Sequence, residues 1–215
     1  MIESPKFWYK NNLYSKIQSF LLFPLSILWI LISFLKKVLI KKYKSKLKVI
    51  CIGNITVGGT GKTPFAIYTF KFLEKLGYKP VFLTRGYGGL LKGPIEVKDT
   101  HKFKEVGDEA LLLNKVGPTI VSKNRSLGAK LIENHESDFN IIIMDDGLQN
   151  YQLKQDIKFL LIDKNLKFGN EFCIPAGPLR EPINQALLGI DAIVLTGNEN
   201  KDTGLYNIYN KTIFN

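Results

Sequence analysis

The sequence feature that most constrains the fold is a glycine-rich segment that joins a short apolar run to a helix-like stretch. The apolar run covers Leu47–Gly53, and the helix-like stretch covers Lys62–Leu76. Between them the chain reads Thr56, Val57, Gly58, Gly59, Thr60, Gly61, Lys62, Thr63. This order fits the phosphate-binding pattern G-x-x-x-x-G-K-[ST] at every position except the first, which holds Thr56. The segment therefore predicts that all eight residues help to bind a nucleotide phosphate.

The physical reason lies in the backbone of the loop. Glycines supply the dihedral angles that let successive N–H groups point inward at an anion, and the helix N-terminus adds partial positive charge. Lys62 is then expected to contact the β- and γ-phosphates, and the Thr63 hydroxyl to bind Mg²⁺. A glycine-rich turn that binds nothing is the alternative. The strand–loop–helix context favours ATP and Mg²⁺ as ligands.

A second polar feature follows the most apolar strand-like run, Ile141–Met144, where Asp145 and Asp146 come next. An acidic residue at the end of such a strand is where phosphate-loop folds hold Mg²⁺, directly or through water. The pair can also be explained as a strand-end turn built on Asp146 and Gly147. Together with the loop, it predicts a metal site made of Thr63, Asp145 and Asp146.

Strand-like and helix-like stretches alternate along the rest of the chain. Further strands are predicted at Val81–Thr84, Thr119–Ser122, Lys158–Asp163 and Asp191–Thr196, and further helices at 107–115 and 124–134. This alternation is typical of an α/β fold of the P-loop NTPase kind, with a parallel sheet covered by helices on both faces. We expect three parts: an N-terminal hydrophobic and basic segment over 1–46, a kinase-like domain over 47–197, and an irregular tail over 198–215.

The N-terminal segment carries an uncharged, largely apolar run over Phe20–Leu35. A helix of this length would span about 24 Å, short of a bilayer core of about 30 Å. Pro24 near the start of the run suggests that the helix begins near Leu22. A short membrane span and a helix inserted at the interface are favoured over the core helix of a soluble fold, because a helix apolar on all faces needs burial on all faces.

The positive charge of the chain is concentrated in the same segment. The formal net charge is +11, and residues 1–48 contain ten lysines and one acid, Glu3. The remainder is nearly neutral, which argues against nucleic acid as a partner. Lysines that follow an apolar helix favour an anionic cytoplasmic leaflet by about 1 kcal/mol each. The segment therefore predicts attachment to the inner (cytoplasmic) membrane, with the catalytic domain on the cytoplasmic side.

Several segments in combination are typical of one protein family. They are 53–64 (GNITVGGTGKTP), 84–88 (TRGYG), 106–109 (VGDE), 144–149 (MDDGLQ) and 175–182 (PAGPLREP), together with the hydrophobic N-terminal helix. Over residues 5–197 the chain resembles the tetraacyldisaccharide 4′-kinases, membrane-bound enzymes of lipid A biosynthesis. Thr56 in place of the usual first glycine is a feature of that family.

The resemblance implies transfer of the γ-phosphate of ATP to the 4′-hydroxyl of a tetraacylated glucosamine disaccharide 1-phosphate, a lipid A precursor. It implies that Asp108 activates that hydroxyl, that Arg85 and Arg125 contact phosphate, and that Asp145 and Asp146 form the acidic pair at the metal. The plainer interpretations are a helix N-cap for Asp108 and a surface ion pair for Arg85. The expected catalytic residues are Asp108, Lys62, Asp146 and Arg85.

The chain departs from the family in length. Members of the family have a second lobe that completes the cleft, and nothing in this sequence matches it. We therefore expect ATP binding, with kinase activity that requires the further lobe in cis or in trans. A membrane-anchored P-loop ATPase or switch protein and a non-catalytic nucleotide-binding remnant are the alternatives. The segments at 85–87 and 146–149 favour the kinase.

Overall fold

The computed structural model describes residues 4–197 and 211–214, and the chain forms two compact units. The first unit contains Met1–Ile40, Asn54–Thr60 and Phe159–Asn215, and the second unit contains Lys41–Gly53 and Gly61–Lys158. Each unit is therefore assembled from segments that are distant in sequence.

The helices and strands alternate along the described chain. The helices are α1 (Leu13–Leu39), α2 (Lys62–Lys75), α3 (Phe103–Val106), α4 (Asp108–Asn114), α5 (Arg125–Glu133) and α6 (Ile183–Leu187). The strands are β1 (Lys48–Gly53), β2 (Pro80–Thr84), β3 (Ile95–Glu96), β4 (Thr119–Val121), β5 (Ile141–Asp145), β6 (Ile157–Asp163), β7 (Ala192–Thr196) and β8 (Thr212–Phe214).

The strands of the second unit follow the order β3, β4, β2, β5, β1. All neighbouring pairs are parallel except β3 with β4, which is antiparallel. In this register Ile52 lies opposite Asp145, and Thr84 lies opposite Val121. The carboxyl ends of four strands therefore meet at one edge, which is where open α/β sheets bind ligands.

The first unit holds α1, a short 3₁₀ helix at Lys6–Trp8, α6, and parallel strands in the order β6, β7, β8. The buried residues of α1 are serines: Ser15, Ser19 and Ser26. Ser26 Oγ donates a hydrogen bond to the Cys173 carbonyl (2.7 Å) and accepts one from the Ala176 N–H (3.1 Å). These bonds attach the middle of α1 to the loop that follows β6.

α1 is longer than predicted and begins earlier. It begins at Leu13, not near Leu22, because the Asn12 side chain accepts a hydrogen bond from the Ser15 N–H (2.8 Å) and caps the helix. Pro24 consequently lies inside the helix. At 1.5 Å per residue its 27 residues measure about 40 Å, so the helix is long enough to cross a bilayer.

α1 leaves most of its apolar side chains exposed. Only 11% of its most hydrophobic stretch is buried, and Phe20 is 77% exposed. The core helix of a soluble protein would be mostly buried, so that interpretation does not fit the helix as it lies here.

The parallel α/β fold predicted from the sequence is confirmed. The predicted strands and the helices of the second unit are present, with bounds that differ by one or two residues. The sequence does not predict β3, α3 or α6, because elements of two to five residues have no periodic pattern. In the tail, where irregular structure is predicted, Thr212–Phe214 form β8, and residues 198–210 lie outside the described part of the chain.

Candidate functional site

In the second unit, the N-terminus of α2 and the carboxyl end of β5 bring together four of the predicted residues: Lys62, Thr63, Asp145 and Asp146. The Thr63 hydroxyl donates a hydrogen bond to Asp145 Oδ2 (3.1 Å). The Lys62 ammonium lies 3.8 Å from Asp146 Oδ1 and forms an ion pair with it. Gly61 precedes the helix with a left-handed φ of 73°, which glycine adopts without strain. Two pairs of predicted residues are therefore in direct contact.

The two acidic residues differ in exposure. Asp145 is 1% exposed, and within the described ranges its Oδ1 atom is buried without a hydrogen-bond partner. A third of the Asp146 side chain is accessible, and its backbone has a left-handed φ of 48°. Aspartate visits that conformation more readily than most residues. Asp146 can therefore take part in a strand-end turn and still offer its carboxylate to a metal site.

The protonation of Asp145 depends on its surroundings. Its pKa is raised to about 7, first by burial and then by the neighbouring carboxylates of Glu109 and Asp146. The hydrogen bond from Thr63 and the charge of Lys62 oppose the shift but are weaker. A cation near the unpartnered Oδ1 atom would favour the ionised carboxylate, since an opposite charge stabilises the charged form. This donor set therefore fits a hard divalent ion such as Mg²⁺.

The metal donors are few. Among residues 4–197 and 211–214, no group of three or more His, Cys, Asp or Glu side chains could hold a metal ion. Mg²⁺ does not require such a group, because it keeps several waters and is bound by one or two carboxylates together with substrate phosphates. Thr63, Asp145 and Asp146 supply donors of that kind.

Residues 54–60, which include the first part of the glycine-rich loop, belong to the first unit, and hydrogen bonds among them hold their conformation. Asn54 is fully buried, and its side-chain amide donates to Thr56 Oγ1 (3.3 Å) and to the Gly58 carbonyl (3.4 Å). Thr60 is also buried, and in the described structure its hydroxyl has no hydrogen-bond partner. The two hydrogen bonds of the Asn54 side chain hold the loop in place without a ligand.

The glycines keep one side of the loop open. A Cβ added at Gly58 or Gly59 would meet no atom of the described residues within 4 Å, and Gly58 has a φ of 124° that disfavours other residues. The Val57 N–H, in contrast, already donates to the Pro178 carbonyl (2.9 Å). In this conformation the backbone amide of Val57 is therefore not offered to an anion, although the motif includes it.

The segments that carry Arg85 and Asp108 pack on each other in the second unit. Arg85 follows β2 directly and is exposed, and Asp108 is exposed as the first residue of α4. The segment after Arg85 packs closely on the turn before Asp108, because a Cβ at Gly107 would lie 2.3 Å from the Tyr87 carbonyl oxygen. The N-cap interpretation of Asp108 is wrong, since Gly107 occupies that position.

Arg125 is a buried residue. It is 2% exposed, and its guanidinium donates to the Ser122 carbonyl while its backbone N–H donates to Gln152 Oε1 (3.1 Å). Its pKa is lowered to about 10, first by burial and then by the positive charge of Arg85. The carboxylate of Asp146 acts in the opposite direction. Arg125 therefore places a buried positive charge near the acidic pair and is not an exposed phosphate contact.

Two residues of this region are not predicted from the sequence. Glu109 raises the pKa of Asp145, and Asn54 braces the loop. Each is adjacent to a predicted or expected feature: Glu109 follows Asp108, and Asn54 follows the last residue of β1. A polar amide at the end of an apolar strand must find hydrogen-bond partners when it is buried. This requirement is the sequence feature from which the role of Asn54 could have been predicted.

The strand–loop–helix arrangement, the acidic strand end and the parallel strands define an α/β fold of the phosphate-loop class. A family model described as Tetraacyldisaccharide-1-P 4′-kinase matches residues 18–214. The chain therefore belongs to that family.

Proteins of the same description are similar along most of this chain. The tetraacyldisaccharide 4′-kinase of Psychromonas ingrahamii is 43% identical over 201 residues, which are 90% of this chain and 61% of that protein. The tetraacyldisaccharide 4′-kinase of Rickettsia bellii is 43% identical over 194 residues, which are 90% of this chain and 59% of that protein. The chain thus spans about 60% of the length of these curated relatives.

A solved structure extends the similarity to the fold. The crystal structure of LpxK from Aquifex aeolicus, described as an "apo" form in complex with ATP, has a TM-score of 0.78 to this chain. The two sequences are 30% identical, and the alignment covers 91% of this chain and 63% of that one. The fold and the family therefore agree.

Proposed function

We propose that the chain provides the ATP-binding part of an enzyme that phosphorylates the 4′-hydroxyl of a tetraacyl glucosamine disaccharide 1-phosphate, a lipid A precursor. The observation that carries the proposal is the pair of contacts by which Thr63 reaches Asp145 (3.1 Å) and Lys62 reaches Asp146 (3.8 Å). Family membership and the ATP complex of the Aquifex aeolicus relative support it.

The loop and α2 act on the phosphates of ATP. Lys62 forms an ion pair with Asp146, and phosphate oxygens would compete for its ammonium through stronger charge-assisted hydrogen bonds. The N-terminus of α2 adds partial positive charge. Phosphoryl transfer depends mainly on positioning and on neutralising the charge of the transferred group, and these residues provide both.

Thr63 and one carboxylate of the acidic pair are the residues that would hold Mg²⁺. When bound, Mg²⁺ would neutralise negative charge on the phosphates. Asp145 is the more buried candidate, and its pKa is raised to about 7, first by burial. A bound cation would lower that pKa and so favour the ionised carboxylate. Asp146 is the more accessible one and also orients Lys62.

Asp108 and Arg85 are the candidates for the acceptor side. Both are exposed, and the loop that follows Arg85 packs on the turn that precedes Asp108. In the proposal, Asp108 accepts the proton of the attacking hydroxyl, and Arg85 stabilises phosphate charge. General-base catalysis of this kind commonly contributes about 10²–10⁴-fold.

Residues 1–46 are proposed to anchor the chain to an anionic membrane surface. The apolar side chains of α1 are mostly exposed, its buried residues are serines, and Lys36 and Lys37 lie in its last turn. An anchored enzyme meets a lipid substrate in two dimensions. The lysines that follow the helix favour the cytoplasmic face of the inner membrane.

Activity is proposed to need more than this stretch of sequence. The chain covers about 60% of the length of its relatives, so a lobe corresponding to the remainder, in cis or in trans, is proposed to complete the cleft. The test is transfer of label from γ-labelled ATP to a disaccharide 1-phosphate in detergent micelles. Weak transfer by the chain alone that rises when the remainder of a relative is added supports this part of the proposal.

The ATP site is tested by calorimetry with Mg²⁺ present. Lys62→Ala should weaken ATP binding by about tenfold or more, because a charged hydrogen bond to phosphate is lost. Lys71→Ala is the matched control, because it removes an exposed lysine from the same helix and should leave the affinity unchanged. Equal affinities of the wild type and Lys62→Ala would contradict the site.

The same measurements separate the kinase from a switch ATPase. A kinase should transfer label to the lipid acceptor, and Asp108→Asn should lower turnover without changing ATP affinity. ATP hydrolysis that is indifferent to the acceptor and to Asp108 would instead favour the switch protein.

A further inference from the structure

The first unit contains a large cleft that the proposed kinase chemistry does not use. It has a volume of about 930 Å³, near the upper end of the roughly 300–1,000 Å³ typical of ligand sites. It lies among three segments: the 3₁₀ helix with the residues that follow it, the first turns of α1, and the loop at 165–172. All three belong to the first unit.

Aromatic side chains form much of the cleft wall. They are Phe7, Trp8, Tyr9, Phe20, Phe23 and Phe172. Phe23 of α1 and Phe172 of the loop meet edge to face at 5.5 Å between ring centroids, and both are 40% exposed. Aromatic rings of this kind give a ligand a large apolar contact surface.

Hydrogen bonds hold the walls of the cleft in place. The Trp8 indole N–H donates to the Pro175 carbonyl (3.1 Å), and the Trp8 carbonyl accepts from the Asn170 N–H (2.9 Å). The Asn170 side chain donates to Ser19 Oγ of α1 (2.9 Å). Loop, 3₁₀ helix and α1 are thus joined to one another, so the cleft is formed before a ligand enters.

The charges around the cleft are mainly positive. Among the described residues, Lys10, Lys16 and Lys167 line it, against a single acid, Glu171. Lys10 and Lys16 are exposed, so they lie where an anionic headgroup could remain hydrated while an apolar chain enters. This combination of an aromatic wall and a basic rim matches an anionic amphiphile.

The cleft is also continuous with the proposed membrane surface. Phe20 and Phe23 line it and belong to the exposed apolar side of α1. Lipid in contact with that side of the helix would therefore have direct access to the cleft. This step depends on the proposed membrane anchor but not on the kinase activity.

We propose that this cleft binds one anionic glycerophospholipid, with an acyl chain among Phe20, Phe23 and Phe172 and the headgroup phosphate near Lys10 and Lys16. The bound lipid would tie α1 and the loop at 165–172 to the bilayer at a defined depth. The site thus differs from simple insertion of α1, because it includes a loop distant in sequence from the helix.

The test uses the whole chain in vesicles of phosphatidylcholine and phosphatidylglycerol in equal parts. The probe is a phosphatidylglycerol with a photoreactive group at the end of one acyl chain, and the labelled residues are mapped by mass spectrometry. We expect label in the loop at 165–172 as well as on Phe20 and Phe23. Label spread along the exposed side of α1 and absent from the loop would overturn the proposal.

Matched variants test the two parts of the site. Lys16→Glu should reduce labelling of the loop by about fivefold or more, the effect of one lysine at an anionic surface. Lys71→Glu, at an exposed position of α2 outside both the cleft and residues 1–46, should not. Phe172→Ala should likewise lower labelling of the helix positions, whereas Phe72→Ala, exposed on α2 and not lining the cleft, should not.

Competition and sedimentation separate this proposal from the membrane anchor. Unlabelled phosphatidylglycerol should suppress loop labelling more than phosphatidylcholine, and equal suppression would overturn the anionic assignment. If the protein sediments with vesicles but the loop stays unlabelled, the anchor holds and the lipid site is refuted. If the protein does not sediment, the anchor and the lipid site both fail.

Discussion

β5 and α1 both consist largely of apolar residues, but β5 buries its apolar side chains whereas α1 buries small polar ones. All five residues of β5 are buried, and Ile142, Ile143 and Met144 have no exposed surface. In α1 the buried residues are three serines, while the leucines, isoleucines and phenylalanines are mostly exposed. Hydrophobicity alone therefore predicts that a segment avoids water but not what it contacts instead.

The serines explain how α1 can face two environments. Small side chains let a helix approach its neighbour closely, and their hydroxyls find hydrogen-bond partners there, as in helices packed within membranes. Ser26 does this with Cys173 and Ala176. The apolar side chains on the rest of the helix stay exposed. β5 has no such division, since both faces of a central parallel strand are covered.

The largest expected effect contrasts one substitution in each element. Ile143→Asp would bury an unpaired charge in β5 and should destabilise the fold by several kcal/mol, enough to prevent folding of a domain of ordinary stability. Leu28→Asp, at a position 52% exposed on α1, should leave folding intact. It should weaken vesicle binding by about 3 kcal/mol if the helix spans the bilayer.

Circular dichroism in detergent micelles and vesicle sedimentation measure these two outcomes. Leu28→Ala is the control for lost apolar area without added charge, and it should weaken binding less. If Leu28→Asp unfolds the protein as Ile143→Asp does, α1 is part of a protein core and the contrast is wrong.

The next effect concerns the polar side of α1. Ser26→Ala removes a donor and an acceptor from a fully buried contact and should cost about 1–3 kcal/mol, because the partner groups are left without hydrogen bonds. Ser33→Ala, at a half-buried position on the same helix, should cost less. Hydrogen exchange at the Ala176 amide reports the loss directly. Unchanged exchange at Ala176 in Ser26→Ala would show that the bond does not hold the helix.

The contrast also shows what could be predicted from the sequence. The strands of the second unit are predictable because their apolar runs are bounded by turn residues. Lys62, Thr63 and Asp145 are predictable as candidate site residues because their motifs are local in sequence. The start of α1 is not, since it depends on the Asn12 cap and on tolerance of Pro24 inside the helix. Likewise, no local pattern indicates that Ser26 meets Cys173, 147 residues away.

The candidate site shows the same limit. The residue types were predictable, but the burial of Arg125 and the influence of Glu109 on Asp145 arise only when separate strands and helices meet. The commitment of the Val57 amide to Pro178 is a contact of the same long-range kind. Motifs specify chemistry, and the fold decides which member of a motif is available for it.

A smaller effect tests the lysines that accompany α1. Raising the salt concentration should weaken vesicle binding only in part, because screening reduces the contribution of the lysines while the apolar contribution of α1 persists. Sedimentation from low to high salt, with vesicles of phosphatidylcholine alone as the control, measures both contributions. Complete release at high salt would mean that α1 does not insert.

The smallest effect concerns residues 41–46, the segment after α1, which contains four lysines and belongs to the second unit. Glu133 of α5 accepts hydrogen bonds from Tyr43 (2.7 Å), Ser45 (2.5 Å) and the Lys46 N–H (3.0 Å). Burial raises the pKa of Glu133, but these hydrogen bonds outweigh it, and the net pKa is lowered. The segment is therefore fixed to α5 while the carboxylate is ionised.

The sign of the pH effect follows from that lowered pKa. The ionised, hydrogen-bonded Glu133 stabilises the folded state above the pKa of an unfolded glutamate, about 4.3, and this contribution is lost as the pH falls through the lower pKa of the folded state.

Glu133→Gln should remove this pH dependence and lower stability at neutral pH by roughly 1 kcal/mol or less, since the group is screened by solvent. Glu136→Gln, an exposed position just beyond α5, is the matched control. Unfolding free energies measured between neutral and acid pH should converge for wild type and Glu133→Gln as the pH falls. Parallel curves would show that Glu133 does not hold the segment, and its lysines would then be free to follow α1 to the membrane.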